Sequence, residues 1–201
     1  MGTKKTGRLY RWEDRDADLT WERYNPAKPN EYKDYNDLIN LWSGDRSIQK
    51  FIHFDDKIAD SLEYLIRTDT DMIEGLFYAF DNDYLAGLVY ITEPYGDFDE
   101  TSIEYIIVNP RMKGQGIGTR MISSIKSNPT FFAEGHKGTF AATVEHTNDA
   151  SKRVFIKNGF KMYKPIINEK LIQLGVFNVH NMNCKFGKWY FTERDNEMEK
   201  K

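Results

Sequence analysis

The stretch of residues 102–128 constrains this chain more than any other, because it can be read only as a strand, a glycine turn and a helix in that order. It runs S-I-E-Y-I-I-V-N-P-R-M-K-G-Q-G-I-G-T-R-M-I-S-S-I-K-S-N. Residues 102–108 are rich in β-branched and aromatic side chains, and Asn109-Pro110 ends the run because proline cannot continue a ladder. Ile117, Met121, Ile122 and Ile125 then recur at helical spacing, with polar residues elsewhere around the turn and Pro129 expected to close the helix. Between the two elements stand Gly114, Gly116 and Gly118 at alternate positions, preceded by Arg111 and Lys113.

A glycine turn entering a helix N-terminus presents unpaired backbone N–H groups, and the helix dipole adds about half a positive charge there. Such a turn seats phosphate oxygens, with the missing side chains letting an anion reach the backbone and Arg111 and Lys113 adding charge at the rim. The plainer alternative is a tight βα turn with glycine for its dihedrals, but that does not require glycine at every second position.

A chain of 201 residues fits one domain and buries roughly 70% of its unfolded surface. Its 28 basic and 31 acidic residues nearly balance, which argues against a general nucleic-acid binder. A single cysteine, Cys184, allows no internal disulfide and suits a reducing compartment. No apolar run approaches the roughly 20 residues of a membrane span, and residues 1–9 carry no signal-peptide core, so the expectation is a cytoplasmic protein with no membrane partner. Met1-Gly2-Thr3-Lys4-Lys5-Thr6 fits the myristoylation pattern, at only two informative positions.

Along the chain, residues 1–18 and 192–201 read as loosely ordered charged tails around one domain. Residues 19–24 alternate as a first strand, and Tyr35, Leu38, Ile39 and Trp42 mark a helix. Residues 48–54 are ambiguous, and Ile58, Leu62, Leu65 and Ile66 mark a second helix. Strands are expected over 76–80 and 85–91, joined by the hairpin turn Asp81-Asn82-Asp83. That turn opens like a calcium loop, but Leu85 and Gly87 fall where the loop needs a ligand and no glycine. After the central unit come a connection over 131–138, a strand over 139–145, a helix over 148–157 and weaker strands over 160–163, 170–174 and 181–186.

This order resembles the GNAT superfamily of acyl-CoA N-acyltransferases. Two stretches carry the likeness. V-N-P-R-M-K-G-Q-G-I-G-T is similar to the family's acetyl-CoA motif [QR]-x-x-G-x-[GA], with Lys113 at its first position and Gly116 and Gly118 at the glycines. Asn148-Asp149-Ala150-Ser151 through Phe155, Lys157, Gly159 and Phe160 is similar to N-x-x-[AS]-x-x-x-[YF]-x-K-x-G-F. The resemblance implies an α/β fold with a mixed, largely antiparallel sheet, flanking helices, and a splay at two central parallel strands. It also implies acetyl-CoA as co-substrate, with the pyrophosphate on the amides of Gln115, Gly116, Ile117, Gly118 and Thr119 and with Lys113 and Gly114 lining the approach. The backbone of Ile106, Ile107 and Val108 would pair with the pantetheine arm, Asn148 would bond that arm, and Ser151, Lys152 and Phe155 would flank the thiol. Asn148 is equally the expected helix N-cap.

Acyl transfer needs an uncharged amine, a donor for the developing oxyanion and a proton for the leaving thiolate. The family likeness supplies the N–H near Val108 as that donor. Glu104, four residues before Val108 and expected on the same strand face, is the first choice of base, ahead of Glu145 and His146. Phe155 stands where many relatives carry a tyrosine acid, leaving Tyr105, Tyr163, Tyr190 or unassisted departure. Residues 32–56 and 92–100, which border the acceptor in such folds, combine aromatics and carboxylates suited to the amine of a cationic small molecule or peptide. A homodimer is compatible with the reading.

Two other classes remain. A dinucleotide-binding oxidoreductase would use Gly114-x-Gly116 and Glu134, but the third glycine comes one residue early and hairpin-like sequence precedes the strand. A non-catalytic acyl-CoA-binding module on the same fold would account for Phe155. The four histidines have no metal-ligand spacing, so no metal is expected.

Overall fold

The computed structural model describes residues 11–25, 27–43, 45–49, 75–94, 100–145, 147–163 and 186–192. Among the described residues eight strands form one sheet, in the order β1-β2-β3-β4-β5-β6-β8-β7. They are β1 (Arg11–Asp14), β2 (Leu19–Arg23), β3 (Leu76–Asp81), β4 (Tyr84–Thr92), β5 (Thr101–Val108), β6 (Thr139–Glu145), β7 (Lys161–Tyr163) and β8 (Phe186–Thr192). Every pairing is antiparallel except β5 with β6. The α-helices among the described residues are α1 (Lys33–Ser43), α2 (Arg46–Gln49), α3 (Ile117–Ser127), α4 (Pro129–Phe132) and α5 (Asp149–Lys157). The mixed, largely antiparallel α/β class expected from the sequence is the class observed.

Strand alternation divides the core between two faces. Trp21, Phe77, Val89, Ile91 and Ile103 pack with Ile117, Met121, Ile122 and Ile125 of α3. An 11-residue helix is marginal alone, so these four buried side chains, each contributing about 1.5–3 kcal/mol, hold α3 in place. On the other face Tyr78, Leu88, Tyr90 and Ile107 meet Tyr24, Tyr32, Ile39 and Trp42.

Three expectations are corrected. Residues 11–14 are not part of a loose tail: they pair with β2, because the Asp14 carboxylate accepts the N–H groups of Asp16 and Ala17 at 3.1 Å and folds the charged segment into a turn. Pro129 does not simply end the helical region; α3 stops at Ser127, and the proline then opens α4, as its fixed φ permits at a first helical position. Residue 192, placed in the tail, ends β8, which pairs with β6 along its length. The helix expected over 58–66 and the strand expected over 170–174 lie outside the described residues, as do 1–10, 193–201 and all of the strand expected over 181–186 except Phe186, which begins β8.

The β3–β4 hairpin has the expected turn. Asn82 and Asp83 carry φ of 47° and 68°, the left-handed pair that matches the strands' twist in a two-residue loop. Ala86 is an extra residue on β4, since Ala79 faces Gly87 and Phe80 faces Leu85.

Candidate active site

β5 and β6 run parallel through Thr101↔Phe140, Ser102↔Ala141 and Ile103↔Ala142, and there their ladder stops. β5 continues to Val108 against β4, and β6 continues to Glu145 against β8, so the strands part and leave a cleft lined by the β6-facing backbone of residues 104–108. A bulge sits at the parting: Tyr90 faces Tyr105 and Ile91 faces Ile103, which makes Glu104 the extra residue. A bulge bends and twists its strand locally, here where the two strands separate.

The bulge corrects the expected face of Glu104. With one residue inserted, Ile103, Ile106 and Val108 share the α3 face, while Tyr105 and Ile107 share the opposite one. Glu104 is exposed and accepts a hydrogen bond from Thr92 Oγ1 at 3.2 Å, and its charge acts on the Tyr105 phenol. It therefore stands on the Tyr105 face of the sheet, bonded toward β4, across the sheet from Val108. The Tyr105 pKa is raised by burial first and by Glu104 second, and its ring stacks on Tyr90 with centroids 6.1 Å apart.

Beyond Val108 the chain turns through a short 3-10 helix (Pro110–Met112) into the glycine loop. Gly114 and Gly116 both have φ of +79°, and a Cβ on either would meet nothing within 4 Å. Both conditions for an anion seat are thus present: left-handed backbone that favours glycine, and open space above it. Gly116 is the N-cap of α3. The N–H groups of Gly114, Gly116, Ile117, Gly118 and Thr119 have no acceptor among the described residues, as expected at a helix start. Gln115 departs from expectation, because its N–H turns inward to the Met112 carbonyl at 3.3 Å. Gly118 has a packing role: a Cβ there would come 3.3 Å from Val154 Cγ2 and 3.5 Å from Val108 Cγ2, where β5, α3 and α5 converge.

Lys113 Nζ lies 4.0 Å from Asp45 Oδ1 at the α1–α2 corner, so its charge bridges that corner and the loop. Arg111 is exposed at the rim. Asn148 is the N-cap of α5, its Oδ1 accepting the Ser151 N–H at 3.1 Å, while its Nδ2 has no acceptor among the described residues and stays available to a ligand. Lys152 is paired to Asp149 at 2.6 Å. Phe155 is buried edge-to-face against Phe160, with centroids 4.9 Å apart, so it packs in the core. Of the alternative groups, His146 lies outside the described residues; Glu145 ends β6, Tyr163 ends β7 and Tyr190 lies within β8.

Several residues that shape the site carried no short-range signal. Arg120 donates to the carbonyls of Ala17 (2.6 Å) and Asp18 and to both Asp81 oxygens at 3.1 and 3.2 Å, tying the first turn of α3 to two hairpins. Asn158 Nδ2 donates to the Thr119 carbonyl at 3.2 Å and joins α5 to α3. Asn109 was legible only as half of a strand stop. Glu134, the ribose-binding candidate of the dinucleotide reading, instead lies 3.6 Å from Nη1 of buried Arg23, whose guanidinium also donates to the Phe131 carbonyl. Among the described residues no group of three or more His, Cys, Asp or Glu side chains could hold a metal, and no helix is long and apolar enough to cross a membrane.

The sequence matches the profile of the Acetyltransferase (GNAT) family over residues 8–160. The chain belongs to that family. Comparison with curated protein sequences finds no match. Among solved structures, the chain resembles a GNAT-family acetyltransferase from Bacillus anthracis (TM-score 0.58, 14% identity, 92% of this chain and 99% of that one). It also resembles N-acetylglutamate synthase from Neisseria gonorrhoeae, complexed with coenzyme A and N-acetyl-glutamate (TM-score 0.54, 11% identity, 87% of this chain and 35% of that one). The NatC complex bound to Gag peptide and CoA gives a TM-score of 0.54 at 12% identity, over 87% of this chain and 98% of that one. At these identities the likeness is one of fold. This GNAT acetyltransferase has the splay and the glycine loop on its family-matched segment.

Proposed function

We propose that this acetyltransferase moves the acetyl group of acetyl-CoA to a primary amine of a small molecule or peptide, by direct attack in a ternary complex. The observation that carries the reading is the glycine loop, with left-handed Gly114 and Gly116 open to approach and a run of unpartnered amides at the start of α3. These amides, with Arg111 and Lys113 at the rim, suit the pyrophosphate. The β6-facing backbone of residues 104–108, Ile106, Ile107 and Val108 among them, suits the amide-bearing pantetheine arm, which completes the interrupted ladder. Asn148 Nδ2 offers that arm a further donor, and Ser151 flanks the thiol from α5.

In this scheme Glu104 takes the proton of the acceptor ammonium, directly or through a water. The free amine attacks the thioester carbonyl, the N–H near Val108 stabilises the oxyanion, and the C–S bond breaks to release CoA thiolate while the nitrogen gives up its second proton to water. Tyr105, kept protonated by burial and by Glu104, lies beside the base as a proton donor for that thiolate. An amine held as a cation suits the same corner, where Tyr105 and the Glu104 carboxylate offer cation–π and Coulomb attraction. The lone Cys184 and the near-balanced charge support a cytoplasmic setting without nucleic-acid partners. A binding module without turnover remains the second reading, favoured by the core packing of Phe155.

The test is thiol release from acetyl-CoA against a panel of small amines, lysine peptides and N-terminal peptides, with Gly116→Trp as a blocked control. Turnover on an acceptor that the control loses supports transfer. CoA binding with no turnover on any amine supports the binding module.

A further inference from the structure

Two of the loop's glycines have dihedral freedom and no packing neighbour, so the loop needs something outside it to hold its amides convergent. Its internal bonds are long: Lys113 N–H to the Pro110 carbonyl at 3.4 Å and Gln115 N–H to the Met112 carbonyl at 3.3 Å. The bonds at its entrance are shorter and converge on Asn109. The Asn109 N–H donates to the Ala86 carbonyl at 2.8 Å, and its Nδ2 donates to the Leu85 carbonyl at 2.9 Å. Its Oδ1 accepts the Arg111 N–H at 3.0 Å, and its carbonyl accepts the Met112 N–H at 2.9 Å. Ala86 is the extra residue of the β3–β4 bulge.

We infer that Asn109 is a positioning residue for the phosphate-binding loop: it fastens the loop's entrance to the bulged start of β4, while Arg120 fastens its exit to Asp81 at the other strand of the same hairpin. The carboxamide is suited to this because it supplies one donor and one acceptor in fixed relation, toward Leu85 and toward Arg111. Aspartate keeps the acceptor and loses the donor; alanine loses both. The inference rests on the acetyl-CoA reading of the loop.

The experiment compares wild type, Asn109→Ala and Asn109→Asp by calorimetric titration with CoA and by thermal unfolding of the free proteins. It adds the KM of wild type and variants for S-acetyl-pantetheine, which lacks the pyrophosphate, on any acceptor that turns over. The expected result is a CoA Kd raised about 10-fold in Asn109→Ala, the size of one or two lost hydrogen bonds, with partial recovery in Asn109→Asp and an unchanged KM for S-acetyl-pantetheine. A CoA Kd in Asn109→Ala equal to wild type overturns the inference, as does a rise in the S-acetyl-pantetheine KM as large as the rise in the CoA Kd, which marks general damage. If alanine prevents folding, Asn109→Asp carries the test: wild-type CoA affinity in it overturns the role of the Leu85 bond. Wild type failing to bind CoA removes the acetyl-CoA reading itself, and this inference with it.

Discussion

At the scale of single residues, Glu104 and Gly116 carry the most. Glu104 stands at a bulge beside Tyr105 and bonds to Thr92. If it removes the ammonium proton, Glu104→Gln lowers kcat by about 10²–10⁴ while leaving the calorimetric Kd for CoA unchanged. An unchanged kcat would assign the proton elsewhere. Gly116→Ala places a Cβ on left-handed backbone, which costs about 1–2 kcal/mol and crowds the anion seat. Urea unfolding should show that loss, together with weaker CoA binding. The glycines were legible in sequence because glycine at alternate positions has few other causes. The face of Glu104 was not, since no Gly or Pro announces the bulge and simple alternation puts residues 104 and 108 on one side.

At the scale of elements, α3 is held between hairpins by Arg120. Its partners Ala17, Asp18 and Asp81 lie far from it in sequence, so no local pattern could reveal the pairing. Arg120→Met removes a bidentate, partly buried carboxylate pair and two carbonyl bonds. A loss of about 1–3 kcal/mol is expected as a lower urea midpoint at unchanged m-value. A midpoint within error of wild type would mean that apolar packing alone seats α3. The strand, hairpin and helix patterns around it were legible because side chains there alternate or recur as burial demands. β1 was not, because its R-W-E-D is mostly charged and gains its place through the Asp14 turn and the packing of Trp12 on Phe131 and Phe132.

At the scale of the whole molecule, one face of the sheet is built on tyrosines. Burial raises the pKa of Tyr24, Tyr32, Tyr35, Tyr105 and, most strongly, Tyr78, which is fully buried. A phenol whose folded pKa lies above its unfolded value contributes stability that is complete below the unfolded pKa, near 10, and fades as pH rises toward the folded one. Stability should therefore fall above about pH 10, with Tyr78 alone adding a slope of about 1.4 kcal/mol per pH unit, and phenolate absorbance should appear together with unfolding. Phenolate absorbance well before unfolding would place these rings in water.

The proposed function requires that the glycine loop and the parted strands together hold acetyl-CoA. A crystal structure of the full chain with acetyl-CoA tests it most directly. Pyrophosphate oxygens are expected within about 3.2 Å of amides of Gly114, Gly116, Ile117, Gly118 or Thr119. The pantetheine arm is expected to pair with the β6-facing backbone of residues 104–108, with the thioester beside Glu104 and Tyr105. Acetyl-CoA bound elsewhere, or seated by its phosphates with its arm directed away from the cleft between β5 and β6, would contradict it.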